Sequence, residues 1–344
     1  MDICGKYPDL THQRNIPSVP IGRTEIEIDS TLPYANGFWS GNCELGQLTD
    51  FGSETMVRLG KTLRLIYIDK LGCMSQGSWA NDIYFRADYI WHTQQSGHSV
   101  TGWPHQDVVM HMRPKSMETL INTGGNCPAS SAAFGKAFST PEYAKYSAQI
   151  TAFMNRTLGI LQPSSTPTWR AGMNANDYLW LSVCHDKPLP CSSTNPSDCL
   201  TAADAVAAYE HSSKQNEIIQ ATGNVTRLFV GPFLGEIRRP IASAVNGKAK
   251  AKFELHSAHD ITVYYLLSLL QKEDMSRWPV YGSNLIFETW KNNKNGSYVV
   301  RLLYNGEVVT ATKVSSLDWN TLPLDSFFKV ADASTPDIAT ECHV

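Results

Sequence analysis

Between Thr49 and Leu71 apolar residues return at helical intervals, with Met56, Leu59, Leu63 and Ile66 on one face, and predict an amphipathic helix. Asp82 to Ala87 predicts a short strand, and Ala87 to Gly97 a helix after it. Helical spacing then governs Ser139 to Leu161, Ala175 to Cys184 and Ala202 to Thr222, so the middle of the chain, roughly 125 to 235, reads as helical without strand alternation. Alternation resumes at Lys252 to Leu255, and Ile261 to Leu270 are apolar enough for a buried helix. Further strands are expected near Leu285 and Tyr298, with Asn305-Gly306 as a two-residue hairpin turn. Lys187 to Cys199, rich in Pro, Ser and Asn, reads as a loop.

Composition narrows the class. The 344 residues, 42% hydrophobic and 18% charged, suit one large α/β domain or a domain with a sizeable insertion. A net charge of −3 gives no sign of a nucleic-acid binder, but protonating all 10 His would carry it to about +7, so the chain gains positive potential in acid. The eight cysteines are scattered without a C-x-x-C pair, which speaks against zinc knuckles and dithiol redox sites. Sequons at Asn155, Asn224 and Asn295, with an even cysteine count, favour the secretory pathway. No apolar signal segment precedes Met1 and no run reaches membrane-spanning length. No repeat, P-loop or dinucleotide fingerprint is present.

The stretch Glu254-Leu255-His256-Ser257-Ala258-His259-Asp260 places polar chemistry at a strand-to-helix junction. Free backbone N–H groups and the positive end of a helix dipole suit an anion there, phosphate above all. His259 can donate to a phosphoryl oxygen and Asp260 can protonate a leaving-group oxygen. An Asp N-cap beside a partly buried neighbour is the equally simple structural alternative. His98, His105 and His111 scatter through a loop and read as solvated or core residues; His185, Trp91 and Trp103 read as packing.

Ser257-Ala258-His259-Asp260, followed by Ile261-Thr262-Val263, resembles the C-terminal signature of the histidine acid phosphatases. Gly46-Gln47-Leu48-Thr49-Asp50-Phe51-Gly52 resembles that family's Gly-x-Leu-Thr-x-x-Gly element, and Asn284 to Trp290 with Val300 to Gly306 resemble its paired late strands. These strands, Cys184-His185 and Glu341-Cys342-His343 are most similar to the branch containing the xylose-2-phosphate phosphatase. The resemblance implies a phosphoglycerate-mutase-like α/β fold, a central sheet flanked by helices. Residues 1–125 and 236–344 would form the core and 126–235 an inserted helical cap. It also implies metal- and cofactor-free hydrolysis of phosphate monoesters in two steps through a phosphohistidine, with inorganic phosphate as product and His259 and Asp260 as acid-side residues. A Cys127–Cys342 disulfide and a secreted or lumenal setting follow from it, and a homodimer is compatible with it.

Two departures stand against that pattern. The family's Arg-His-Gly-x-Arg-x-Pro, whose His takes up the phosphoryl group, occurs nowhere in this sequence. In Arg86-Ala87-Asp88-Tyr89-Ile90-Trp91-His92-Thr93 the family's third phosphate-binding arginine is replaced by His92, while Arg86 matches its non-catalytic arginine. An imidazole cannot reproduce a bidentate guanidinium contact. An N-terminally incomplete copy, missing its signal peptide and first strand, fits the gap a lost central strand would leave. A degenerate paralogue that binds anions or a partner without turnover fits His92.

Overall fold

The computed structural model describes residues 47–74, 79–102, 108–121, 127–161, 175–270, 277–310 and 317–343. The loop-like reading of residues 1–45, together with Gly46, Trp103 and His105, lies outside them. Helix α1 (Asp50–Arg64) starts where the Thr49 hydroxyl accepts the Gly52 N–H at 3.1 Å, and Lys61 and Arg64 in its last turn suit the dipole. Instead of running on to Leu71, it widens into a π-turn over Leu65–Lys70 that buries Tyr67 and Ile68.

Strand β1 (Ile83–Ala87) lies where expected. The next helix begins later than the pattern predicts, as α2 (Trp91–Thr101). Asp88 folds the intervening chain into a turn, its Oδ1 accepting the Ile90 N–H at 2.8 Å and the Thr93 hydroxyl at 2.6 Å. His98 therefore lies in α2, and His111 in β2 (Met110–His111), rather than in a loop.

The helical middle consists of α3 (Pro128–Phe138), α4 (Pro141–Leu161), α5 (Ala175–Cys184), α6 (Ala202–Gln220) and α7 (Val225–Val245). Sequence reading took roughly 125 to 235 as helical but set no bounds for α3, a Pro-led Ala/Ser/Gly segment, or for α7, which carries Pro232 and Pro240 in its interior and runs past 235. From Val225 to Leu234 every residue of α7 except Arg227 is buried, so its first half shows no apolar and polar alternation to give it a period. Position 235 falls inside α7, whose Phe229, Phe233 and Ile241 belong to the main core with Tyr264, Tyr265, Leu302 and Phe327.

Strand β3 (Phe253–Ser257) leads into α8 (Asp260–Leu269). Strands β4 (Leu285–Lys291) and β5 (Tyr298–Tyr304) pair antiparallel. Asn305-Gly306, at φ 51° and 87°, turns β5 into β6 (Glu307–Val308) as expected. Then come β7 (Leu322–Pro323), α9 (Leu324–Ser334) and α10 (Ile338–Glu341).

The strands form two sheets. In one, β1 lies between β2 and β3, both parallel to it, with Ile83 opposite Phe253 and Ala87 opposite Ser257. In the other, β5 carries β4 on one edge and β6 and β7 on the other. Among the described residues β3 and β4 are each paired along one edge, and the cluster of Tyr67, Ile68 and Met74 touches Phe253 of β3 and Ile286 of β4. Helix α2 covers one face of the parallel sheet and α7 the other, where Phe233 meets His256 and Glu236 binds Arg86. This is the α/β architecture the resemblance implies.

A Cβ on Gly97 of α2 would stand 2.3 Å from the Phe85 ring and 3.1 Å from Ser257 Cβ, so this helix rests on the sheet through a glycine. Gly97→Ala is expected to destabilise the protein by about 1–3 kcal/mol. A lower urea midpoint would show it; an unchanged midpoint would mean α2 lifts freely. The expected Cys127–Cys342 bridge is present, and a second, Cys191–Cys199, closes the Pro/Ser/Asn-rich loop. Among the described residues Cys73 and Cys184 are free, and no helix is long and apolar enough to cross a membrane.

Candidate active site

The junction between β3 and α8 is where the functional side chains gather. His259 is the N-cap residue of α8, extended at φ −110°, so the first N–H groups of that helix lie beside it. Its own N–H reaches the Thr262 hydroxyl at 3.4 Å, and that hydroxyl donates to the Leu120 carbonyl. Backbone and ring are thus fixed separately: His259 Nε2 binds Asp88 Oδ2, while Nδ1 stands 3.4 Å from His92 Nε2. The His92 and His259 rings meet edge to face, centroids 5.1 Å apart at 88°.

Register explains the meeting. Parallel pairing sets Ala87 opposite Ser257, so Asp88, just past the end of β1, and His259, just past the end of β3, reach the same end of the sheet. The Asp88 turn then starts α2 with His92 in its first turn. The Ser257 hydroxyl donates to the Thr93 carbonyl at 2.6 Å and ties the start of α2 to β3. Asp88 is fully buried, and burial pushes its carboxyl up. Hydrogen bonds and charge from His259, with those from Thr93 and the Ile90 N–H, outweigh burial and hold it below the ordinary carboxylate range.

Asp260 is exposed and held from two sides. Its Oδ1 accepts the Ile261 N–H at 2.7 Å and its Oδ2 the Trp278 indole N–H at 2.7 Å. Trp278 in turn is gripped by α6 and α8: its N–H donates to Ser213 Oγ at 3.1 Å, Tyr209 O–H donates to its carbonyl, and its ring stacks on Tyr264 of α8 at 4.6 Å. Asp177 of α5 keeps solvent contact, but the surrounding protein first, and the Asp260 charge second, push its carboxyl up to about 6. His185, at the end of α5, lies 3.3 Å from the Thr49 hydroxyl and edge-on to Phe51, joining the helical middle to α1.

Arg86 does not face this site. It is 1% exposed and ion-paired to Glu118 and, at 2.5 Å, to Glu236, which also binds Arg113. Glu118 Oε1 further accepts the Thr119 and Leu120 N–H groups at 2.7 Å. A guanidinium locked this way ties β1 to α7 and the Glu118 turn rather than holding a ligand. Among the described residues no group of three or more His, Cys, Asp or Glu could hold a metal ion.

All three residues singled out from the sequence converge here: His92 and His259 touch, and Asp260 follows on the same helix turn. Sequence reasoning gave no role to Asp88, Trp278 or Asp177. Asp88 stood inside the quoted motif; its burial, not its identity, reveals its part.

Comparison with known proteins fits the geometry. The profile of the histidine phosphatase superfamily (branch 2) matches residues 34–305. Counting factor 60 of Dictyostelium discoideum is 27% identical over 320 residues, covering 89% of this chain and 73% of that protein. The 2-phosphoxylose phosphatase 1 of Danio rerio is 28% identical over 305 residues, covering 78% of this chain and 58% of its own length. The chain thus spans little more than half of that relative. Lysophosphatidic acid phosphatase type 6 of Mus musculus is 23% identical, with 78% of this chain and 63% of that protein covered. Among solved structures, the apo phytase of Hafnia alvei superposes with a TM-score of 0.63 at 15% identity, covering 89% of this chain and 91% of its own. At that identity the likeness speaks for the fold alone. With the profile running through most of the chain and the SAHD junction built as described, the chain belongs to branch 2 of the histidine phosphatase superfamily.

Proposed function

We propose that the chain binds phosphate monoesters or inorganic phosphate at the N-terminus of α8. His259 and His92 contact phosphoryl oxygens, and Asp260 is the proton donor to the leaving-group oxygen. The observation that carries this reading is the contact chain from buried Asp88 through His259 to His92 at a helix start. The reaction class is phosphomonoester hydrolysis of the acid phosphatase type, through a phosphohistidine, and residues 126–235 act as the cap. The sequence holds no Arg-His-Gly, so its own residues supply phosphate contact and acid but not the family's nucleophile. His92 in place of arginine favours a second reading, a non-catalytic binder of anions. Two disulfides, three sequons and phosphatase relatives support a secretory or lumenal, glycosylated protein.

Calorimetric titration with inorganic phosphate at about pH 5 tests the site. Binding is expected, and His259→Ala should weaken it about tenfold or more, the worth of a charge-assisted hydrogen bond. Equal binding by the wild-type chain and His259→Ala, both fully folded by circular dichroism, would place the anion elsewhere.

A further inference from the structure

The sequons at Asn155, Asn224 and Asn295 sit in different folded surroundings. Asn155 lies in the interior of α4 with Thr157 two positions on, and residues two apart on a helix point to nearly opposite sides. Asn155 is exposed, whereas Thr157 is fully buried and its hydroxyl has no hydrogen-bond partner among the described residues. Arg156 between them is pinned, donating to Asp198 Oδ1 at 2.8 Å and to Asp204 Oδ1 at 2.9 Å. Asn224, also exposed, is the N-cap residue of α7, yet its side chain makes no capping bond. Thr226 again has a buried hydroxyl without a partner, and Val225 is buried against Ala137 and Ile219. Asn295 differs. In the turn between β4 and β5 its Oδ1 accepts the N–H of Ser297 at 3.0 Å and the Ser297 hydroxyl at 2.8 Å, and Asn295, Gly296 and Ser297 are all exposed.

A hydroxyl buried without a partner costs free energy that a methyl group in its place would not. The fold makes no use of the Thr157 and Thr226 hydroxyls, although each completes a sequon. Resting on the secretory reading above, we propose that Asn155, Asn224 and Asn295 all carry N-linked glycans, and that the first two accept them only before the chain folds. In the transfer, the Asn amide nitrogen bonds to the anomeric carbon of an oligosaccharide carried on a lipid diphosphate. The bond from that carbon to the diphosphate oxygen breaks, the lipid diphosphate leaves with the electron pair, and the amide nitrogen gives up one proton to the medium. A transferase that reads the hydroxyl while it modifies the amide must reach both at once. In folded α4 the two lie on opposite sides, and at the start of α7 the hydroxyl is buried; at Asn295 they touch in solvent. Because Asn155 and Asn224 stay exposed, glycans attached early remain at the surface once the helices form.

The test offers the whole chain, made without glycans, to a purified oligosaccharyl transferase and its lipid-linked donor in two states. One is folded with both disulfides closed; the other is reduced, alkylated and unfolded by circular dichroism. Peptide mass mapping reads the occupancy of each Asn. The unfolded chain should be modified at all three. The folded chain should be modified at Asn295, with Asn155 and Asn224 at least about tenfold slower than in the unfolded chain, since their helices must open first. Equal rates at Asn155 and Asn224 in the two states would overturn the proposal. Thr157→Val should leave the urea midpoint of the folded, unglycosylated protein unchanged or raised, while Thr157→Ser keeps transfer at Asn155 in the unfolded chain. A lowered midpoint for Thr157→Val would give the hydroxyl a structural role and overturn the proposal at Asn155. In protein isolated from its own cells all three should be occupied. Asn295 alone occupied would overturn the proposal and leave the secretory reading standing; all three bare would remove both.

Discussion

Given an aryl phosphate at about pH 5, this 344-residue chain should show no meaningful turnover, with a rate on the order of 10⁴ to 10⁶ below that of a family member bearing the full motif. Nucleophile, acid and phosphate contacts act as a unit, and removing the nucleophile alone forfeits most of what the unit achieves. In the roles proposed above Asp260 delivers a proton and His259 holds a phosphoryl oxygen, and neither role forms the bond to phosphorus. His259 cannot easily change role, since Asp88 and His92 occupy its two ring nitrogens. A steady-state assay with purified protein decides the matter. Turnover within tenfold of a complete relative would sink the expectation and name His92 or His256 as the attacking group. An acid-quenched reaction showing a phosphorus–nitrogen bond would then identify which.

Replacing Cys127 and Cys342 together by alanine should lower unfolding free energy by roughly 5 kcal/mol, from the chain entropy of a loop of 215 residues. That rivals the net stability of a whole domain, about 5–15 kcal/mol. The bridge ties the start of α3 to the end of the chain, with both sulfurs buried against Leu228. The Ala129 N–H reaches the Cys342 carbonyl at 3.2 Å, and Arg227 pairs with Glu341 beside it, so the junction is built around the bond as well as by it. Cys191–Cys199 encloses a separation of only 8 residues, and its loss should cost roughly half as much on the same reasoning. Denaturation of the two double variants, under oxidising conditions and with matched slopes, gives the comparison. A loss under about 1 kcal/mol for Cys127/Cys342 would show that local packing alone secures the C-terminus.

Fold class, and the candidate residues His92, His259 and Asp260 that the structure brings together, were legible because their signals are local. The SAHD junction, the β4 and β5 patterns and the Asn305-Gly306 turn each carry their information within a few residues. What escaped the sequence depends on partners far away. Helix α7 keeps Pro232 inside its first half, which the core encloses on nearly every side, and no periodicity records that. Asp88 becomes an anchor only once β1 and β3 are in register, and Trp278 only once α6 and α8 hold it. The start of α2 slipped because Asp88 prefers a turn to a helical first residue.

The register that brings Asp88 to His259 also sets a schedule for biosynthesis. Asp82 and Lys252, which meet at the foot of the β1–β3 pair, are separated by 170 residues. At ~5–20 residues per second of synthesis, β1 waits roughly ten to thirty seconds for its parallel partner to be made. During that interval its Phe85 can be covered by α2, which is already complete, but its hydrogen-bonding edge toward β3 stays open. The nascent chain is then most exposed to pairing with a neighbouring copy, and the period ends only when the residues that carry His259 arrive.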